Sequence, residues 1–267
     1  MQKTVVITGA SSGIGEALVY LFLKNKFNVV LAARNIDNLK LVEQKCQLIS
    51  PHFFSVVCDV SKELDCQDLI NRSVAKYGGI DILINNAGIS MRAMFNDCDI
   101  EVIKKVMDVN FWGAVYCSKF ALPFLLKSKG TIVGVSSIAG IKGLPARTGY
   151  SASKFALQGF LESLRVENLN TGLKVLIACP GYTESNIRKS ALNHIGNSQS
   201  ESPLSEEKLM SAEQVAKTIF KAVLKQKAYV YMTFEGKMLL WLNKFFPLMM
   251  DKIVYNKVSK EKDSPFK

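Results

Sequence analysis

The sequence predicts an α/β protein: a doubly wound, seven-stranded parallel sheet in the order 3-2-1-4-5-6-7, with helices on both faces. Seven short apolar runs alternate with longer stretches of helical periodicity. The runs are continuously apolar rather than alternating, as strands covered on both faces must be. A glycine-rich turn joins the first run to the first helical stretch, where such sheets change from strand to helix.

The strand candidates are "KTVVIT" (3–8), "NVVLAA" (28–33), "FFSVVC" (53–58), "DILINN" (81–86), "GTIVGVS" (130–136), "LKVLIAC" (173–179) and "AYVYM" (228–232). Stretches such as "GEALVYLFLKN" and "ELDCQDLINRSVAKYG" between them space their apolar residues for one helix face. The longest irregular stretch is 184–210, and "SAEQ" (Ser211 to Gln214) is a capping box that opens the next helix. There is no internal repeat and no low-complexity linker. Residues 1–235 read as a single domain, and 236–267 as an extension of different character.

Bulk properties narrow the function. A chain of 267 residues, 48% hydrophobic and 21% charged, is globular and buries a sizeable core. Six scattered cysteines with no C-x-x-C, and only two histidines, argue against a metal site and for reduced, buried thiols. "MQKTVVITGA" enters an apolar run too short for a signal segment, so a cytoplasmic protein is expected. Of the net charge of +11, +7 falls in residues 208–267, with 12 Lys and five acids. No aromatic residues interleave there in a nucleic-acid-binding manner, so nucleic acid is not an expected partner.

"TGASSGIG" (Thr8 to Gly15) follows the first strand, with Gly9, Gly13 and Gly15 spaced G-x-x-x-G-x-G. Glycine allows a tight turn and close approach of backbone to a pyrophosphate. The helix that follows offers free N–H groups and a positive dipole end. Ser11, Ser12 and Ile14 belong to the same cradle. An acid at the end of the second strand would bind an adenosine ribose; here Ala32 and Ala33 are followed by Arg34. Arg34 there suits a 2′-phosphate, which favours NADP(H), with Ser11 as a further donor. The alternative is a solvated arginine opening the next helix. Asp59 and Val60 end the third strand, where Asp59 would hold the adenine amino group. Asn86, Ala87 and Gly88, in "NNAG", end the fourth. Ligands of open α/β sheets bind beyond these strand ends.

Two Tyr-x-x-x-Lys pairs occur, Tyr20–Lys24 and Tyr150–Lys154. About one is expected by chance, so the pair alone decides nothing. Its companions decide. "TGASSGIG", "NNAG", Asn110 in "DVNFWG", "VSS" ending at Ser137, "YSASK" and "PGYTES" occur in order, with Ser137 13 residues before Tyr150. In this the chain resembles the short-chain dehydrogenase/reductase family, over residues 3 to about 232, and in particular its membrane-associated, NADP-preferring members.

The resemblance implies a Rossmann-like fold and a catalytic tetrad of Ser137, Tyr150, Lys154 and Asn110. Tyr150 would donate a proton to a carbonyl oxygen, its phenol lowered from about 10 by a nearby ammonium and the oxidised nicotinamide. Lys154, one turn on, would supply that charge and hold the nicotinamide ribose. Ser137 would orient the carbonyl. Asn110 would kink its helix and hold a water that resupplies protons through Lys154. Thr183 would hold the nicotinamide carboxamide through its backbone, and Ser185 stands where the family usually has Thr. Tyr20 and Lys24 have no such companions.

Residues 236–267 crowd apolar side chains at 238–250, interrupted by Asn243 and Lys244, with Pro247 restarting a helix. The run is too short and charged for a transmembrane helix, which needs about 20 apolar residues. Three uses remain open: an amphipathic segment on a membrane surface (238–258), a cap over the substrate pocket, or a subunit interface; a homo-oligomer, dimer or tetramer, is expected. The function expected is NADP(H)-dependent interconversion of a carbonyl and an alcohol on a small, lipophilic substrate. The alternatives are an NAD-dependent alcohol dehydrogenase, or a nucleotide-binding scaffold without turnover. The expected location is cytoplasmic, with peripheral attachment to the cytoplasmic face of a membrane left open.

Overall fold

A computed structural model describes residues 2–183, 187–188, 190–199, 209–260 and 264–266. The strands are β1 (Thr4–Thr8), β2 (Asn28–Ala33), β3 (Phe53–Val57), β4 (Ile82–Asn85), β5 (Thr131–Val135), β6 (Lys174–Cys179) and β7 (Tyr229–Tyr231). They form one parallel sheet in the order β3-β2-β1-β4-β5-β6-β7, as expected. Register follows the apolar pattern: Val5 pairs with Val29 on one side and Ile82 on the other.

The pleat divides the strand side chains between two cores. Val5, Ile7, Val29 and Leu31 pack beneath α1 (Gly13–Lys24), α2 (Ile36–Gln47) and α7 (Ala212–Leu224). Val6, Val30 and Leu83 pack on the opposite face, beneath α3 (Glu63–Tyr77), α5 (Gly113–Ser128) and α6 (Thr148–Glu167). α7 opens on the expected capping box, with Ser211 and Gln214 each closing on the other's backbone. All six cysteines are buried as free thiols.

Between α4 (Ile100–Met107) and α5 the helix passes through a single π turn, Asp108–Trp112, containing Asn110. The expected kink is therefore a slip of the backbone hydrogen-bond ladder. Asn110 anchors it: its Oδ1 accepts from Ile89 N at 2.8 Å, and its Nδ2 donates to Ile89 O and Ser153 Oγ at 2.9 Å each.

The C-terminal extension forms two helices, α8 (Phe234–Phe245) and α9 (Pro247–Ser259). It starts two residues earlier than expected because Thr233 is its N-cap, accepting from Gly236 N at 3.0 Å. Pro247 opens α9 at a position where its missing N–H costs nothing. The pair docks on its own domain. Asn243 Nδ2 donates to Ile141 O at 3.1 Å, buried Lys142 bonds Asp251 at 2.5 Å, and Met250 and Val258 are buried. The opposite face leaves Trp241, Phe245, Phe246, Leu248 and Ile253 exposed.

Candidate active site

β1 lies between β2 and β4, so the chain order reverses there, and a crevice opens beyond the strand ends. A cleft of about 510 Å³ runs along it from Gly9 to Thr183 and Arg188. At one end the glycine turn leads into α1. A Cβ at Gly9 would stand 2.8 Å from Ala87 Cα, and one at Gly15 would stand 2.1 Å from Gly9 O. Both positions therefore exclude any side chain. Asn86 braces the turn from the next strand, its Nδ2 donating to Thr8 O at 2.9 Å and Gly9 O at 3.2 Å. Ser12 is the N-cap of α1, yet its hydroxyl caps no backbone N–H of that helix. A bare glycine backbone before such a helix start fits a pyrophosphate.

Arg34 follows β2 and is exposed on the wall of the cleft. Asn35 and Asn38 lie beside it, the Asn35 side chain accepting from Asn38 N at 2.9 Å. Asp59 also lines the cleft, one carboxylate oxygen held by the Ser61 hydroxyl at 2.8 Å. Ser11, Gly13, Ile14, Val60, Ala87 and Gly88 line it too. Thr183 is buried, and Arg188 Nη1 donates to its carbonyl at 2.7 Å. Ser185 lies outside the described residues.

The tetrad assembles at the other end. Ser137 leaves β5 in extended backbone beside the Tyr150 phenol. Its Oγ accepts from Ala139 N at 3.1 Å, which fixes the hydroxyl. Tyr150 lies in the first turn of α6, with the Lys154 ammonium 5.7 Å from its ring centroid. Lys154 is 3% exposed and donates to Val135 O at 2.9 Å. Asn110 reaches the pair through Ser153, whose Oγ donates to Tyr150 O at 2.7 Å.

Electrostatics differ from expectation in one respect. Burial holds the Tyr150 phenol above its ordinary value, opposed by the Ser137 hydrogen bond and the Arg147 guanidinium rather than by Lys154. Lys154 is itself pushed down to about 8 by burial. The cation acting on the phenol in this structure is Arg147, which no motif marked. Leu144 and Tyr182 also line the cleft unannounced. Their positions beside recognisable motifs gave no chemical signal, because neither residue type is required by the reaction.

The second pair is resolved, with a correction. Tyr20 is not without a partner: its hydroxyl donates to Glu16 Oε1 at 2.7 Å. Burial and that carboxylate raise the Tyr20 phenol, and no hydroxyl or guanidinium opposes them as at Tyr150. Lys24 is exposed.

A glycine cradle, a crevice at the switch point and a Ser–Tyr–Lys–Asn cluster define a nicotinamide-dinucleotide-dependent oxidoreductase. The short chain dehydrogenase family model matches residues 3–195, and the chain belongs to that family. It is 40% identical over 230 residues to 11-beta-hydroxysteroid dehydrogenase-like 2 of Arabidopsis thaliana, covering 85% of this chain and 72% of that protein. It is 35% identical over 256 residues to 11-beta-hydroxysteroid dehydrogenase A of Sesamum indicum, covering 93% and 73%. A short chain dehydrogenase/reductase from Burkholderia phymatum, solved with NAD, shares the fold with TM-score 0.82 at 22% identity, over 93% of this chain and 95% of that one.

Proposed function

We propose that this protein is an NADP(H)-dependent oxidoreductase that interconverts a carbonyl and an alcohol on a lipophilic substrate. The carrying observation is the Ser137–Tyr150–Lys154 cluster at the end of a cleft that begins at the glycine turn. A bound nicotinamide supplies or accepts the hydride. The remaining work falls to side chains. Ser137 donates to the substrate oxygen and aligns it with Tyr150. Tyr150 gives its proton to that oxygen in reduction and takes one back in oxidation. Lys154 places a positive charge beside the phenolate so formed, and Asn110 fixes the helix that carries both.

Arg34 beyond Ala33 supports the phosphorylated dinucleotide, since no carboxylate stands at the end of β2 to repel a 2′-phosphate. The names of the relatives support a lipophilic alcohol or ketone. The exposed apolar face of α8 and α9 supports a peripheral location on a membrane surface, with that face as the contact.

The test follows absorbance at 340 nm with NADPH or NADH and a panel of ketones, including steroid ketones. NADPH should be consumed faster than NADH at equal concentration. Tight cofactor binding with no consumption by any ketone, and no formation from any alcohol, would leave the scaffold reading in its place.

A further inference from the structure

We infer that the active site takes an amphiphilic carbonyl compound, its anionic group on Arg147 and its hydrocarbon chain in the cleft between residues 143–148 and α9. This rests on the oxidoreductase reading and narrows its substrate class. Three cavities meet here. The catalytic cleft, a larger open cleft of about 820 Å³ and a small cavity between them all share Leu144 as a wall. Arg147 and Tyr182 border both the catalytic cleft and the small cavity. A molecule reacting at Tyr150 and extending past Arg147 and over Leu144 would reach the underside of α9.

The chemistry changes along that path. Arg147 is half-buried, and its guanidinium has no hydrogen-bond or ion-pair partner among the described residues. Among the described residues the one carboxylate lining the catalytic cleft is Asp59, at the cofactor end and occupied by Ser61. The small cavity has none among its described residues. A half-buried arginine without a counter-ion attracts a carboxylate or phosphate. Its direction is set by the backbone. Ala146 is held at φ 56, a left-handed conformation a non-glycine residue adopts at a cost, and its carbonyl is tied to Ala93 N at 2.9 Å. Beyond Leu144 the large cleft turns apolar, walled by Pro145, Val254 and the Tyr255–Phe266 ring pair at 4.4 Å. Its one carboxylate among the described residues, Asp251, is already paired with Lys142. The site thus offers a cation near the reacting carbonyl and an apolar trough further out.

Octyl phosphate, monomeric at the concentrations used, probes both features without needing turnover. Titrated into the protein with saturating NADPH, it should bind at least about tenfold tighter than ethyl phosphate or 1-octanol, the ratio one charge-assisted contact or a few buried methylenes supplies. Arg147→Gln should remove the preference over octanol, Arg147→Lys should restore part of it, and Val254→Glu should remove the preference over ethyl phosphate. Melting temperatures and NADPH binding establish that each variant is folded. Octyl phosphate binding no tighter than octanol, or a folded Arg147→Gln that keeps the preference, overturns the inference. A turnover arm compares 4-oxododecanoate with 2-dodecanone, and kcat/KM should favour the acid through Arg147. Reduction of both ketones without preference, in wild type and Arg147→Gln alike, leaves the oxidoreductase reading standing and this one fallen. Arg147-dependent octyl phosphate binding with no ketone consumed upholds the site and removes the reaction.

Discussion

Tyr150 and Tyr20 share a lysine four residues on and differ in everything around them. The Tyr150 phenol meets a hydroxyl and a guanidinium, and Tyr20 meets a carboxylate. Tyr150→Phe should therefore bind cofactor normally and lose at least ~10² in turnover, a typical general-acid contribution. Tyr20→Phe should turn over like the parent. Comparable steady-state rates for the two variants would remove Tyr150 from the chemistry. At the other end of the cleft, Arg34→Ala should weaken NADPH by roughly 10–100-fold and NADH far less, because a charge-assisted bond to the 2′-phosphate is all it loses. Equal losses in a fluorescence titration would show that Arg34 does not touch that phosphate. Lys154 makes a pH prediction. Its pKa is about 8 in the folded protein against 10.5 for an exposed lysine. Between those values the unfolded chain holds a proton the folded one has released, so stability rises with pH there. Below pH 8 the burial cost is present in full, roughly 3 kcal/mol at most. Lys154→Met should thus melt higher than the parent at pH 7, and the gap should close towards pH 10.5. A gap independent of pH would mean that the buried ammonium is not what costs stability. That Ser137, Tyr150 and Lys154 come together was legible because the proposed reaction demands their types at fixed spacing. Arg147 was not, since its significance lies in having no counter-ion among the described residues, which no spacing encodes.

The strands were the most legible elements, because burial on both faces requires continuous apolar runs. β2 occupies 28–33 as expected, and the others lose at most one residue at each end. The π turn was foreseen only as a kink. What holds it depends on Ile89, 21 residues earlier, and Ser153, 43 later. Local periodicity carries no record of contacts at that separation. Asn110→Leu keeps the side chain's volume and deprives both polar groups of Ile89 of their partner. Leaving buried groups unpaired costs about 1–3 kcal/mol each, so the variant should melt several degrees lower and lose turnover together. Calorimetry showing an unchanged melting temperature would mean that packing alone sustains the turn. The docking of α8 and α9 on their own domain was left open among three uses. Nothing in the sequence pairs Lys142 with Asp251, 109 residues on, which the fold brings to 2.5 Å.

At the scale of the whole molecule, charge and apolar surface converge on one side. The extension presents Trp241 at 69% exposure and Leu248 at 76%, with Phe245, Phe246 and Ile253 between and beyond them. Lys244, Lys252 and Lys260 are exposed on the same two helices and the turn that follows. Two forces would then favour an anionic bilayer: burial of apolar side chains, about 1.5–3 kcal/mol for each one fully inserted, and roughly 1 kcal/mol per lysine near the surface. The first is insensitive to salt, and the second is screened beyond about 10 Å at 0.1 M. Pelleting with vesicles should therefore rise with their content of anionic lipid, fall with added salt, and retain a salt-resistant remainder. Deleting the extension is a poor test, because its inner face also covers Ile141 and Lys142 and its loss would lower stability in any case. Trp241→Glu combined with Phe245→Glu alters only the outer face. It should abolish pelleting while keeping the melting temperature and NADPH binding. If the outer face instead joins two subunits, the same variant should dissociate an oligomer on size-exclusion chromatography. Failure of the parent protein to pellet with anionic vesicles at low salt would then exclude the membrane as its partner.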